Sequence, residues 1–203
     1  MSTLRYAARI GGTKVLGPGN RAVIWTYGCP RNCPGCLAEN FRNGESTETT
    51  AEEMAAWYLE QNAAGLTISG GEPMLQPGPL AEIVRLIRKQ QDTSVIVYTG
   101  YLYEELLEMA DSNPDLLAFL SRIDLLIDGP YIRERDRNQP YIGSDNQRLI
   151  LLTDRFKDEM TYYTAATGRK IEFHLSEQRT LMVGVPGREQ KEIWERIKRI
   201  HER

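Results

Sequence analysis

Short, nearly continuous apolar runs recur along this chain, at Arg21–Tyr27, Gly65–Ser69, Ser94–Tyr98, Ile123–Ile127 and Arg148–Leu152. Runs without polar alternation mark strands buried on both faces. Amphipathic stretches separate them. Thr50-Ala51-Glu52-Glu53 has the form of a capping box and opens a helix through Met54, Trp57, Tyr58 and Gln61. Leu80, Ile83, Leu86 and Ile87 mark the inner face of the next helix. Another runs from Tyr103 to Met109, and Asn113-Pro114 caps a further one through Leu120.

This alternation predicts an α/β fold with a mostly parallel sheet covered by helices. About five such strands are too few to close the eight-stranded barrel, so a partial, open β/α barrel is expected. Beyond Thr153 the pattern changes. Lys170–Leu175 and Arg179–Gly184 flank Ser176-Glu177-Gln178 as a β-hairpin, and Ile193, Trp194, Ile197 and Ile200 share one face of a closing helix. Residues 1–203 are read as one domain, with a core over about 16–153 and a C-terminal extension over about 154–203.

In such sheets ligands gather beyond the carboxyl ends of the strands. Every distinctive motif of this chain falls at such an end. The cysteines follow the first strand, Gly70-Gly71-Glu72-Pro73 the second, Thr99-Gly100 the third and Asp128-Gly129 the fourth. Taken singly, each glycine motif reads as an ordinary turn, and so does the Gly143–Gln147 loop. Paired glycines also let a backbone approach a ligand closely, and the Glu72 carboxylate could bind an ammonium group. Their convergence predicts a single site on one face.

The chain's 3 cysteines lie together as Cys29-Pro30-Arg31-Asn32-Cys33-Pro34-Gly35-Cys36. Disulfide pairing would leave an odd thiol, whereas the tight spacing suits one metal centre. Soft thiolates select zinc or an iron–sulfur cluster. A structural zinc site needs a fourth ligand; the only histidines, His174 and His201, are remote in sequence, and an Asp or Glu could serve instead. A four-iron cube on three thiolates instead keeps one iron free for a small molecule. His174, within a strand, reads as a satisfied histidine, and Tyr162-Tyr163 as packing.

The net charge of −3 gives no electrostatic reason to expect nucleic acid or an anionic membrane. Residues 1–20 carry no signal-like apolar stretch, no segment approaches a membrane span, and clustered thiols suit the cytoplasm.

The cysteine run followed by a Gly-Gly-Glu motif resembles the radical SAM superfamily. The order of motifs over residues 16–147 is similar to the activating proteins of anaerobic (class III) ribonucleotide reductase. It includes Gly17-Pro18-Gly19, Ser69–Pro73, Tyr98–Tyr101, Asp124–Gly129 and Gly143–Gln147. The resemblance implies a [4Fe-4S] cluster on Cys29, Cys33 and Cys36 and S-adenosyl-L-methionine (SAM) on the open iron. It places Gly70, Gly71, Glu72 and Pro73 at the SAM amino group, with Thr99 and Asp128 along the ribose and methionine. The implied partner is a glycyl-radical enzyme, and the implied reductant flavodoxin or ferredoxin. The chain departs from the family at Glu72, where many activases have aspartate, at Ala38, where asparagine is frequent, and in its long extension. A radical SAM enzyme acting on a metabolite or peptide is the alternative, and a non-catalytic zinc module the lesser one. No residue stands out as a dedicated catalytic acid or base.

Overall fold

The computed structural model describes residues 2–161, 168–175, 180–187, 190, 192–194 and 196. Among these the strands are β1 (Thr3–Thr13), β2 (Arg21–Thr26), β3 (Thr47–Thr50), β4 (Gly65–Gly70), β5 (Ser94–Tyr98), β6 (Leu125–Asp128), β7 (Arg148–Leu151), β8 (Ile171–Leu175) and β9 (Thr180–Gly184). The helices are α1 (Asn40–Asn43), α2 (Ala51–Leu59), α3 (Pro77–Arg88), α4 (Tyr103–Ala110) and α5 (Pro114–Leu120). Expected caps are in place. Thr50 Oγ1 accepts from the Glu53 amide at 3.2 Å while Glu53 Oε2 accepts from the Thr50 amide at 2.9 Å. Asn113 Oδ1 accepts from the Leu116 amide at 3.2 Å.

The first seven strands form one sheet in the order β3-β1-β2-β4-β5-β6-β7. β2, β4, β5 and β6 pair in parallel, each βα unit supplying the next strand. β1 and β7 pair antiparallel on either side of this block, so five of the strands, β3 included, run in one sense. The sheet ends at β3 and β7 without closing. It is the mostly parallel, open architecture that the apolar runs predict.

Strand residues alternate between the two faces. Ile24, Ile68, Val95, Val97 and Leu126 pack under α2, α3, α4 and α5. Val23, Trp25, Ile96, Leu125 and Ile127 point to the other face, where loops and the hairpin cover them. Helices α2, α3, α4 and α5 therefore lie on the first face, while Phe41 of α1 packs on the second. Near the amino ends of the strands Arg21 is buried, its Nε donating to Thr67 Oγ1 at 2.7 Å and Nη2 to the Leu66 carbonyl at 2.7 Å.

Two features depart from the expectation. Residues 3–13 form the long strand β1, and β7 returns antiparallel. The hairpin is present as the antiparallel pair β8–β9, with its turn, 176–179, outside the described residues. Ile197, Ile200, His201, Tyr162 and Tyr163 also lie outside them. No helix among the described residues is long and apolar enough to cross a membrane.

Candidate metal and cofactor site

The carboxyl ends of β2, β4, β5 and β6 open on one cavity of about 570 Å³. Cys29, Cys33 and Cys36 line it, together with Gly70, Gly71, Glu72 and Thr99. Gly129, Gly143 and Gln147 reach it from the β6 side. Pro73 and Asp128 are not among its lining residues; both are buried behind it.

Local backbone chemistry shapes the cysteine loop. The Cys36 amide donates to the Cys33 carbonyl at 3.1 Å, and Gly35 between them takes φ +71°. Proline followed by a positive-φ glycine is the signature of a type II turn, which brings Cys33 and Cys36 close together. All three thiols are free and half-buried. Burial pushes the Cys29 thiol up, and the Glu72 carboxylate and the other cysteines push it further, against a backbone hydrogen bond at Arg31. Burial likewise raises Cys36, against a backbone hydrogen bond at Ala38. Thiols that discourage each other's ionisation gain most from a bound cationic group.

Gly70 and Gly71 are required first by the protein itself. Gly70 has φ +108°, and a methyl there would lie 2.6 Å from the Thr26 carbonyl oxygen. A methyl on Gly71 would overlap the Gly28 carbonyl, only 2.6 Å from its carbon. The Gly71 amide donates to the Thr26 carbonyl at 2.8 Å and the Glu72 amide to the Gly28 carbonyl at 2.7 Å. The turn after β4 is thereby joined directly to the root of the cysteine loop.

Glu72 is 1% exposed. Its Oε1 accepts from Thr99 Oγ1 at 2.8 Å and the Met74 amide at 3.1 Å, and its Oε2 from the Gly100 amide at 2.8 Å. Burial raises its pKa, against these hydrogen bonds and the Arg31 guanidinium. A carboxylate offers about four acceptor sites, so one remains for a ligand. The bonds from Thr99 and Gly100 fasten the end of β4 to the end of β5, and that from Met74 caps the turn after β4.

Asp128 faces away. It accepts from the Tyr103 amide at the start of α4 at 2.8 Å and from Arg148 Nε at 3.0 Å. The Gly143–Gln147 loop is tied to β6: Gln147 Oε1 accepts from the Gly143 amide at 2.7 Å while its Nε2 donates to the Gly129 carbonyl at 2.9 Å.

Tyr98 and Arg31 line the cavity too; both fall within the sequence motifs, which gave neither side chain a role. The Tyr98 hydroxyl and Arg31 Nε are buried with no hydrogen-bond partner among the described residues. Buried polar atoms without partners are rare in folded proteins, and these two border the cavity that the cysteines line. Period-2 alternation would have found Tyr98, because Val97 faces the helices.

The donors present fit an iron–sulfur cluster with one open position. Three thiols share the cavity and no further cysteine exists in the chain. Glu72, whose charge Cys29 feels, is already engaged by its own chain. A single zinc ion would need its thiolates at about 2.3 Å. Among the described residues no three His, Cys, Asp or Glu side chains are grouped to hold one ion.

Residues 15–150 match the family model described as a 4Fe-4S single cluster domain. The anaerobic ribonucleoside-triphosphate reductase-activating protein of Enterobacteria phage T4 is 34% identical over 148 residues, 69% of this chain and 89% of that protein. The protein of the same name from Vibrio cholerae is 31% identical over 68% of this chain and 92% of its own length. The pyruvate formate-lyase-activating enzyme of Clostridium pasteurianum is 35% identical over 48% of this chain and 45% of its own. The family match ends at residue 150, so β8 and β9 lie outside it.

Proposed function

The chain belongs to the radical SAM activase family, of the 4Fe-4S single-cluster type, and from that membership we propose that it places a glycyl radical on a partner enzyme, an anaerobic ribonucleotide reductase. What carries this reading is the meeting of three cysteines, with no fourth, and the Gly70–Glu72 turn on one cavity. The chemistry that a bound [4Fe-4S] cluster supplies is one-electron cleavage of SAM to methionine and a 5′-deoxyadenosyl radical, which removes hydrogen from a glycine Cα.

The chain's own residues bind and orient. Cys29, Cys33 and Cys36 would hold the cluster, and with no fourth cysteine in the chain one iron would be left for the methionyl amino and carboxylate groups. Gly70 and Gly71 bring backbone to the amino group, and Glu72 accepts from it with its remaining acceptor site. Thr99 lies beside Glu72 on the same cavity. Pro73 and Asp128 act from behind the wall, Asp128 by holding the start of α4. Trp25, Phe41 and Leu16 give the cavity an apolar side, which limits water around a reactive radical. A cytoplasmic location and reduction by flavodoxin or ferredoxin belong to the same proposal.

The test is direct. Anaerobically reconstituted protein, reduced in the presence of SAM, should release 5′-deoxyadenosine. Addition of an anaerobic ribonucleoside-triphosphate reductase should then give a glycine-centred signal in electron paramagnetic resonance. Release without any such signal would favour a small-molecule or peptide substrate.

Tyr98→Phe separates binding from folding. It removes a buried hydroxyl with no partner among the described residues, so the free protein should be at least as stable in urea as wild type. If that hydroxyl donates to SAM, affinity by calorimetry should fall about tenfold, the worth of one hydrogen bond. Unchanged affinity would assign the hydroxyl elsewhere.

A further inference from the structure

The C-terminal extension is fastened to the core and reaches the site. Arg169 is 8% exposed, and its guanidinium donates to the Gln139, Ile142, Gly143 and Pro186 carbonyls at 2.8–3.0 Å. It also pairs with Asp136 at 2.8 Å. One side chain thus clamps the segment around β8 and β9 onto the loop that carries Gly143 to the cavity. Glu172 adds a second anchor, accepting from Thr13 Oγ1 at 2.7 Å and the Lys14 amide at 3.1 Å. Val183 is fully buried against Val15, Leu16, Val23 and Trp25.

So held, β9 borders the cavity along its edge. Thr180, Leu181, Met182 and Gly184 all line it, and no residue of β8 does. Successive strand residues point to opposite faces. A cavity touching Thr180, Leu181 and Met182 in succession therefore meets the strand side-on. β9 pairs with β8 on its other edge, and among the described residues no further strand joins this two-stranded sheet. Half of the β9 backbone amides and carbonyls thus face outward, a template for one more strand.

We propose that the outer edge of β9 receives the glycine-bearing segment of the partner enzyme as an added strand, with Arg169 as the positioning residue that holds this edge at the cavity. The proposal rests on the activase reading. A cavity of about 570 Å³ is of the size that takes one small-molecule ligand, so a polypeptide must reach the chemistry in extended form. Strand addition supplies that form, with main-chain hydrogen bonds giving affinity and alternate side chains giving register. A glycine presents its Cα with no side chain in the way.

Hydrogen exchange on the wild-type holoprotein tests it, with purified anaerobic ribonucleoside-triphosphate reductase as partner. With SAM bound, amides of residues 180–185 should exchange at least about tenfold more slowly once the partner is added, as newly bonded edge amides do. Unchanged exchange there, alongside formation of the glycyl radical, would overturn the proposal. In a second arm, Arg169→Ala should raise the KM for partner about tenfold and abolish the partner-induced slowing of exchange at residues 180–185. Arg169→Lys, which cannot fork to four carbonyls, should recover only part of the loss. An Arg169→Ala protein that activates the partner as well as wild type would also refute it. Wild-type protein that cleaves no SAM, or leaves no radical on the partner, would instead remove the activase reading, and this proposal with it.

Discussion

Replacing any one of Cys29, Cys33 or Cys36 by alanine is expected to abolish release of 5′-deoxyadenosine, a loss of at least about a thousandfold. The chain has no spare cysteine, so a cluster deprived of one thiolate has no sulfur to turn to. Metal affinity is the summed effect of its ligands, and anaerobically reconstituted variants should lose most of their iron and their brown colour. The fold should survive. The three cysteines sit on a half-exposed loop beyond β2, outside the three buried apolar clusters. Far-ultraviolet circular dichroism and melting of the metal-free variants should therefore match metal-free wild type. Iron analysis and chromatographic assay of 5′-deoxyadenosine decide the matter. A variant that still cleaves SAM would place the cluster on other residues, and wild type holding one zinc and no iron would end the catalytic reading.

The parallel core was legible because its strands are buried on both faces. Polar residues have no place at 95–97 or 125–127, so these strands appear as unbroken apolar runs. β1 is different. Its buried residues Leu4, Tyr6 and Ala8 alternate with exposed or half-exposed Thr3, Arg5 and Ala7. That period-2 signal is present but diluted by arginines and by Gly11-Gly12. The motifs at the strand ends do meet on one cavity, yet not every side chain at an end turns inward. Leu126 faces the helices and Ile127 the other side, so alternation sends Asp128 back toward α4, where the Tyr103 amide and Arg148 receive it.

The wall formed by β9 could not be read locally. It depends on Arg169 reaching carbonyls 17 to 30 residues away along the chain, and a lone arginine in a polar stretch gives no hint of this. Gly70-Gly71 was visible as a motif, but part of its cause was hidden. Close approach to a ligand was the evident reason for paired glycines; close approach to Thr26 and Gly28 is a reason that only the folded backbone discloses.

That contact makes Gly71→Ala the second large effect. The added methyl would overlap the Gly28 carbonyl, with the carbon at 2.6 Å and the amide nitrogen at 2.9 Å. These are backbone atoms, fixed on one side by β2 and on the other by the hydrogen bond from the Glu72 amide. No side chain can swing aside to make room. Relief requires parting the cysteine loop from the turn after β4, which also breaks the Gly71–Thr26 bond. A cost above about 4 kcal/mol is expected, and for a domain of this size that lowers the melting temperature by roughly 10 °C or more. Gly28→Ala is the matched control. Gly28 has φ +90°, but nothing lies within 4 Å of a methyl built there, so only left-handed strain of about 1–2 kcal/mol applies. Melting of the two metal-free proteins side by side separates steric overlap from backbone strain. Equal melting temperatures would mean that β2 and β4 do not meet so closely at their ends, and the joint between the cysteine loop and the Gly70–Glu72 turn would have to be redrawn.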